Sequence, residues 1–191
     1  MKLQKIDGSE SVIIIKDNHS YTMFLPPDML AVKRFRTELE ASLNSHGFPR
    51  EDIEQIELAC DEALTNSISA NIKYSCQETI ICKWKIENLK FNFLILDYGR
   101  GVPAEKITHI DKPNTLGELL ERFKSTNSDL RQLPFSGVCK SHKNMGQGLN
   151  IIKKIMDKVS VFYHKNDDIL ESFSETAEGS ILEMEFSSKK S

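Results

Sequence analysis

The sequence predicts a single α/β domain over residues 1–191, an α+β sandwich in which a mixed, mostly antiparallel sheet carries helices on one face. Three observations lead to this fold class. The length of 191 residues is that of one ordinary domain with a substantial core. Apolar patterns follow the order hairpin, two helices, hairpin, helix, hairpin, and no internal repeat is visible. Hairpins separated by helices are typical of a layered sheet with helices packed against it.

The first half of the chain contains the opening hairpin, the two helices and the second hairpin. An amino-terminal extension with the first strand, residues 1–20, leads into the domain. Apolar residues alternate in the strands and recur every three to four positions in the helices. The second helix opens on proline and acidic residues, as helix amino termini prefer. The predicted bounds are 11–16 and 21–25 for the hairpin, 28–47 and 49–74 for the helices, and 79–86 and 91–96 for the second hairpin.

A long polar segment separates the second hairpin from the last helix. Residues 98–145 contain prolines and clusters of Ser, Thr and Asn, with one amphipathic piece at 116–123. A connection of this length in a compact domain is usually a functional lid or disordered, and we expect a lid over a ligand. A helical pattern at 149–159 and strand patterns near 159–164 and 180–186 complete the domain.

Composition argues against several classes of function. A net charge of −3 offers no basic surface for a phosphate backbone, so no nucleic-acid partner is expected. The apolar runs are too short to cross a bilayer and the amino terminus does not read as a secretory signal, so we expect a cytoplasmic protein with no membrane partner. The four cysteines lack CxxC spacing, and we expect neutral thiols, with neither a zinc site nor disulfides.

Glu62 and Asn66 are the first candidate site residues. They are one turn apart on the second predicted helix and share a face. An amide oxygen can complete the oxygen shell of Mg²⁺ on a triphosphate, and a carboxylate can accept the proton of an attacking hydroxyl. The alternative is a solvated pair on an exposed helix face. Asp61, about 100° round the helix, is the rival base.

Two glycine-containing stretches supply the other candidates. Asp97 ends an apolar strand and is followed by Gly99 and Gly101, so a carboxylate is held where the backbone can turn tightly or approach a ligand. Gly146 and Gly148 precede an apolar helix whose amino terminus can bind phosphate. A plain strand-to-loop turn and an ordinary glycine-rich loop are the alternatives.

In this order, the three stretches resemble the N box, G1 box and G2 box of the GHKL ATPases, the group of gyrase B, histidine kinases and bacterial anti-sigma serine kinases. The string Asp61-Glu62-Ala63-Leu64-Thr65-Asn66 is similar to the anti-sigma kinase N box. The helix from Gly148-Leu149 to Met156-Asp157-Lys158-Val159 resembles their G2 helix. Ala70-Asn71-Ile72-Lys73-Tyr74 instead resembles the N-box ending of histidine kinases. The resemblance implies a histidine-kinase-like ATPase fold that binds ATP and Mg²⁺.

The resemblance also implies roles for single residues. Glu62 corresponds to the catalytic base, Asn66 to the magnesium ligand and Asp97 to the partner of the adenine amino group. Gly179-Ser180 resembles the family's closing Gly-Thr, with a hydroxyl near adenine. Lys73 is either a phosphate contact or a solvated lysine at a helix end. The implied nucleotide contacts are Asn66, Lys73, Asp97, Gly99, Gly101, Gly146, Gly148, Leu149 and Ser180.

The resemblance to anti-sigma kinases implies an ATP-dependent serine/threonine protein kinase. Such a kinase phosphorylates a small antagonist protein and sequesters a sigma factor or similar regulator, and it is typically a homodimer. Two other functions stay open. One is a nucleotide-responsive protein-binding module without kinase activity, and the other is a detached histidine-kinase-type ATPase domain, which the Lys73-Tyr74 ending favours.

Overall fold

A computed structural model describes residues 13–99, 112–123, 148–166 and 168–189, and the structural statements below concern these ranges. They contain helices and strands in nearly the predicted order. In chain order these are β1 (Ile13–Asp17), β2 (Ser20–Leu25), α1 (Leu30–Ser45), α2 (Arg50–Lys73), β3 (Ile80–Glu87), β4 (Lys90–Leu96), α3 (Leu116–Glu121), α4 (Gly148–Ile155), β5 (Lys158–Lys165), β6 (Asp168–Leu170) and β7 (Gly179–Ser187).

The strands form one seven-stranded sheet with the order β1-β2-β3-β4-β7-β5-β6. Every pairing among the described strands is antiparallel, so the predicted class is confirmed while its "mixed" component is not found there. The sequence did not predict the short strand β6, which pairs with the end of β5. Because β4 pairs with β7 from Leu96↔Ile181 onward, the residue after β4 lies beside the start of β7.

Helices α1, α2 and α4 pack on one face of the sheet and enclose the larger core. Aromatic side chains of the central strands meet α1 there. The Phe35 ring lies 5.7 Å from the rings of both Trp84 and Phe93, measured between centroids. Burial of each such side chain stabilises the fold by about 1.5–3 kcal/mol. Helix α2 contacts both α1 and α4, so its two flanks face different neighbours.

Helix α3 departs from the predicted arrangement because it packs on the opposite face of the sheet. Leu119 and Phe123 are buried there in a second apolar cluster with strand residues such as Leu94. Arg122 adds an ion pair, with its Nη1 3.1 Å from Oε2 of Glu183 on β7. The amphipathic piece of the predicted lid is therefore a docked helix behind the sheet. Most of the remainder of 98–145 lies outside the described residues.

The ends of helices α1 and α4 depend on the local sequence. Gly47 follows α1 with a φ of 77°, a left-handed conformation that glycine adopts without strain. The last helix is shorter than predicted, because α4 ends at Ile155 and Val159 already belongs to β5. The sequence pattern placed Val159 in the helix because this strand residue falls at a position where the helical period also expects an apolar residue.

Candidate functional site

The carboxylate of Asp97, just past β4, is held by a dense set of donors. Its Oδ2 accepts a 2.7 Å hydrogen bond from the Ser180 hydroxyl. Its Oδ1 accepts from the backbone N–H groups of Gly99 at 3.0 Å and Ser180 at 3.3 Å. Burial raises the pKa of Asp97, while these donors and the Ser67 hydroxyl of α2 act to lower it. The structure thus brings together the predicted residues Asp97, Gly99 and Ser180.

Two further residues, His164 and Gly179, fix the backbone at Asp97. Nε2 of the buried His164 lies 2.8 Å from the Asp97 carbonyl oxygen, which can only accept, so Nε2 carries the proton. A Cβ at Gly179 would overlap the same oxygen, so this close approach requires glycine. The Tyr98 ring meets the His164 ring edge-on with centroids 5.0 Å apart. Gly179 was visible beside Ser180, whereas no pattern marked His164.

Asn71, a second residue missed from sequence, attaches the turn after Asp97 to α2. Its side chain is fully buried, with Nδ2 donating to the Glu78 carbonyl at 3.1 Å. Its Oδ1 accepts from the Tyr98 backbone N–H at 3.2 Å. Close packing explains the next glycine, because a Cβ at Gly99 would lie 2.5 Å from the carbonyl carbon of Ala70. The turn therefore follows the surface of α2 directly.

Glu62, Asn66 and Gly148 meet between α2 and α4. A Cβ at Gly148 would lie 2.6 Å from Oε2 of Glu62 and 2.9 Å from Nδ2 of Asn66. Gly148 is the first residue of α4, so its helix amino terminus and the two α2 side chains share one small space. Free N–H groups in the first turn favour an anion there. The structure thus brings these three candidate residues together.

This space suits a magnesium–triphosphate group by the chemistry of its donors. Mg²⁺ takes oxygen ligands, keeps several waters and is usually held by one or two protein groups plus phosphate oxygens. Asn66 offers an amide oxygen and Glu62 a carboxylate, while the amino terminus of α4 at Gly148 suits the phosphates. The absence of a side chain at Gly148 leaves the cradle open. Asn66 is the residue that would hold the ion.

Asp61, the rival base, points to the other flank of α2. Its Oδ2 accepts from Nε of Arg36 on α1 at 2.9 Å and also from Nη2 of the same residue. Burial raises the pKa of Asp61, and Arg36 opposes that rise. Asp61 is therefore engaged on the α1 side, whereas Glu62 faces α4. The two candidate bases are separated by the helix itself.

The remaining predicted contacts are Lys73, Leu149, Gly101 and Gly146, of which the last two lie outside the described ranges. Lys73, at the end of α2, places its Nζ 5.3 Å from the ring centroid of Tyr74. Tyr74 and Tyr98 line a neighbouring cleft of about 600 Å³. Leu149 is half-buried and packs against the larger core. Gly101 and Gly146 are not among the described residues.

Three of the four cysteines lie in the described part of the chain. Cys60 and Cys82 are buried and Cys76 is half-buried, and all three are unpaired. Burial raises the pKa of each thiol, so they stay neutral. Within the described ranges, no group of three or more His, Cys, Asp or Glu residues could hold a metal ion. Cys139 lies outside those ranges.

No helix in the described part of the chain is long and apolar enough to cross a bilayer.

The chain matches the family model of the histidine kinase-like ATPase domain over residues 25–170. The match covers most of the chain, including Glu62, Asn66, Asp97 and Gly148. The chain belongs to this family. Histidine kinase-like ATPase domains bind ATP, generally with Mg²⁺.

One relative of the ATPase domain is a Rickettsia conorii protein named sensor histidine kinase NtrY-like. It is 24% identical over 177 residues, which cover 87% of this chain and 24% of the relative. The chain therefore spans about a quarter of the length of that protein.

Proposed function

We propose that this ATPase domain is an ATP-dependent serine/threonine protein kinase of the anti-sigma type. It phosphorylates a hydroxyl of a small antagonist protein in the cytoplasm, and it sequesters a sigma factor or similar regulator when the antagonist is unavailable. We propose further that the chain forms a homodimer. The observation that carries it is the position of the Glu62 carboxylate, next to Asn66 and the start of α4, with the rival Asp61 engaged by Arg36.

In this proposal the nucleotide extends from Asp97 to the amino terminus of α4. Adenine presents an amino group, and the ionised Asp97 carboxylate is a strong acceptor for it. Ser180 holds that carboxylate in place through its 2.7 Å hydrogen bond. The phosphates lie at the amino terminus of α4, where backbone N–H groups face a negative charge. Asn66 lies on the face of α2 toward Gly148 and would hold the metal of the Mg-ATP.

Phosphoryl transfer then requires that ATP and the attacking hydroxyl are held in position and that the hydroxyl proton is removed. A metal bound with ATP would neutralise charge on the phosphate oxygens. Glu62 accepts the proton of the attacking hydroxyl as the oxygen–phosphorus bond forms and ADP leaves. A carboxylate is suited to this role only when no cation already holds it. Asp61 fails that condition because of Arg36, and Glu62 has no ion pair within the described part of the chain.

A histidine-kinase-type ATPase domain is the second candidate. The sequence similarity to a protein named as a sensor histidine kinase favours it, as does the Lys73-Tyr74 ending of α2. In that case the phosphoryl group passes to a histidine of a separate domain or protein. A binding module that responds to nucleotide without transfer is the third candidate.

The chemical stability of the phosphorylated product separates these functions. The purified protein is incubated with labelled Mg-ATP and a lysate of its own source, and the labelled products are treated with acid. Acid-stable label on a small protein supports the serine/threonine kinase. Acid-labile label supports histidine chemistry. Nucleotide binding without any protein label supports the binding module.

A further inference from the structure

Two histidines meet at the edge of the fold away from the nucleotide site. His19 lies in the turn between β1 and β2, and His46 directly follows α1. Nδ1 of His19 is 3.3 Å from Nε2 of His46. The rings are steeply inclined, with an interplanar angle of 61° and centroids 5.4 Å apart. The two imidazoles thus turn nitrogen atoms toward each other across two separate elements.

Hydrogen bonds of His46 establish which of its nitrogens carries the proton. Nδ1 lies 2.8 Å from the carbonyl oxygen of Ser42, which can only accept. Nδ1 must therefore donate, and in the neutral ring Nε2 keeps its lone pair toward His19. A histidine whose far nitrogen donates to a backbone carbonyl is the usual arrangement for a metal ligand, because that bond fixes the tautomer and the ring orientation.

The separation of the two facing nitrogens fits a shared ion. Two imidazole nitrogens at the usual zinc distance in a tetrahedral site lie about 3.3 Å apart. The observed 3.3 Å between Nδ1 of His19 and Nε2 of His46 equals that separation. Rotation of the exposed His19 side chain would turn its Nδ1 lone pair to the point that the Nε2 lone pair of His46 faces. Water completes the coordination of such an ion.

We propose that His19 and His46 form a surface site for a divalent transition metal, separate from the magnesium of the nucleotide site. Imidazole ligands suit Zn²⁺, Ni²⁺ and Cu²⁺, with Cu²⁺ bound most tightly, whereas Mg²⁺ and Ca²⁺ prefer oxygen ligands. The bound ion joins the β1–β2 turn to the end of α1.

The core beneath the pair provides a built-in reporter. Trp84 is the single tryptophan of the chain. Its Nε1 donates to the Ser42 hydroxyl at 2.9 Å, and the carbonyl of Ser42 is the group that orients His46. The Tyr21 ring stacks on Trp84 with centroids 5.1 Å apart and also contacts His46 edge-on at 6.1 Å. A paramagnetic Cu²⁺ ion at the histidine pair therefore quenches Trp84 fluorescence.

The test is titration of the full chain with CuCl₂, followed by ZnCl₂ as a competitor, in excess MgCl₂. We expect saturable quenching with one ion per chain, reversal by a large excess of Zn²⁺, and no response to Mg²⁺. His19→Gln and His46→Gln should each weaken binding about tenfold or more. Asn18→Gln and Asn44→Gln, at exposed positions next to the β1–β2 turn histidine and near the end of α1, are the matched controls and should leave it unchanged. All variants also carry Cys76→Ser and Cys139→Ser, so that these two thiols do not compete for copper.

A second measurement keeps the proposal testable if either variant folds poorly. Electron paramagnetic resonance of one equivalent of Cu²⁺ on the background protein reports how many imidazole nitrogens bind the ion. Two equatorial imidazoles support the site. One imidazole or none, or quenching that is equal in the histidine variants and the background, overturns it.

Discussion

The hydroxyl of Ser180 donates a 2.7 Å hydrogen bond to Oδ2 of Asp97, so the start of β7 and the end of β4 share one carboxylate. The two residues are 83 positions apart in sequence and adjacent only because their strands pair. The carboxylate is thus oriented before any ligand arrives. Preorganisation of this kind lowers the cost of binding, since the acceptor does not have to be ordered.

Asp97→Asn should weaken ATP binding about tenfold or more, because an unpaired adenine edge in a closed pocket costs about 1–3 kcal/mol. Calorimetric titration with Mg-ATP measures the change. Ser180→Ala is the milder variant for comparison. It removes one hydrogen-bond donor to Asp97 but leaves the Asp97 carboxylate able to accept from adenine. Its effect should be the smaller of the two. Equal affinity of wild type and Asp97→Asn, with the fold intact, would place adenine elsewhere.

The raised pKa of Asp97 predicts opposite effects of pH on binding and on stability. The ionised carboxylate is the better acceptor, so ATP affinity should fall as the pH is lowered through the pKa of Asp97. In the unliganded protein, a carboxyl whose pKa is higher when folded retains its proton longer than in the unfolded chain. Its contribution to the free energy of unfolding therefore declines as the pH rises through that pKa.

The pH prediction is measured as the difference between wild type and Asp97→Asn. The amide of the variant cannot ionise, so the affinity and the stability should show these two pH dependences in the wild type alone. Other carboxyls with raised pKa values, Asp61 and Glu183 among them, are present in both proteins and cancel. Parallel pH profiles for the two proteins would contradict the assignment to Asp97.

Gly148→Ala should impair nucleotide binding, because its Cβ would lie 2.6 Å from Oε2 of Glu62. Either Glu62 and Asn66 move or α4 shifts, and both disturb the proposed phosphate site. Gly117→Ala on α3 is the matched control, since its Cβ would meet nothing closer than 3.6 Å and alanine favours helix. Mg-ATP affinity that is unchanged in Gly148→Ala would separate this space from the phosphates.

The sequence predicted the site better where a residue's role is local than where it depends on distant packing. Glu62 and Asn66 are one helical turn apart, so a shared face follows from helix geometry alone. His164 and Asn71 could not be found this way, because each acts on the backbone of Asp97 or Tyr98 through the tertiary fold. Likewise, the sequence showed an amphipathic piece at 116–123 inside the expected lid, but not that it forms a helix covering the back of the sheet.

Docking of α3 should contribute measurably to stability. Leu119 is fully buried under the sheet, so Leu119→Ala should lower the free energy of unfolding by about 2–5 kcal/mol. Leu120→Ala, at the half-buried neighbouring position, is the control and should cost less. Urea unfolding followed by Trp84 fluorescence gives both values. A negligible loss for Leu119→Ala would mean that α3 is not held on this face in solution.

The roles of Glu62, Asn66 and Asp61 are separated by three single substitutions. Glu62→Gln keeps the size of the side chain and removes the base, so phosphoryl transfer should slow by about 10²-fold or more while Mg-ATP affinity is nearly retained. Asn66→Ala should lose magnesium-dependent affinity and activity together, because the ion loses a protein ligand.

Asp61→Asn is the matched control one position away. It removes the charge that pairs with Arg36 on the α1 side, so we expect the free energy of unfolding to change without loss of transfer. Single-turnover transfer of the phosphoryl group to the antagonist protein, measured for all three variants, distinguishes the outcomes. Their melting temperatures show whether each variant is folded. If Asp61→Asn abolishes transfer while Glu62→Gln does not, the base lies on the flank of α2 that faces α1. If neither changes transfer, catalysis needs no carboxylate base, as in transfer to a histidine nitrogen.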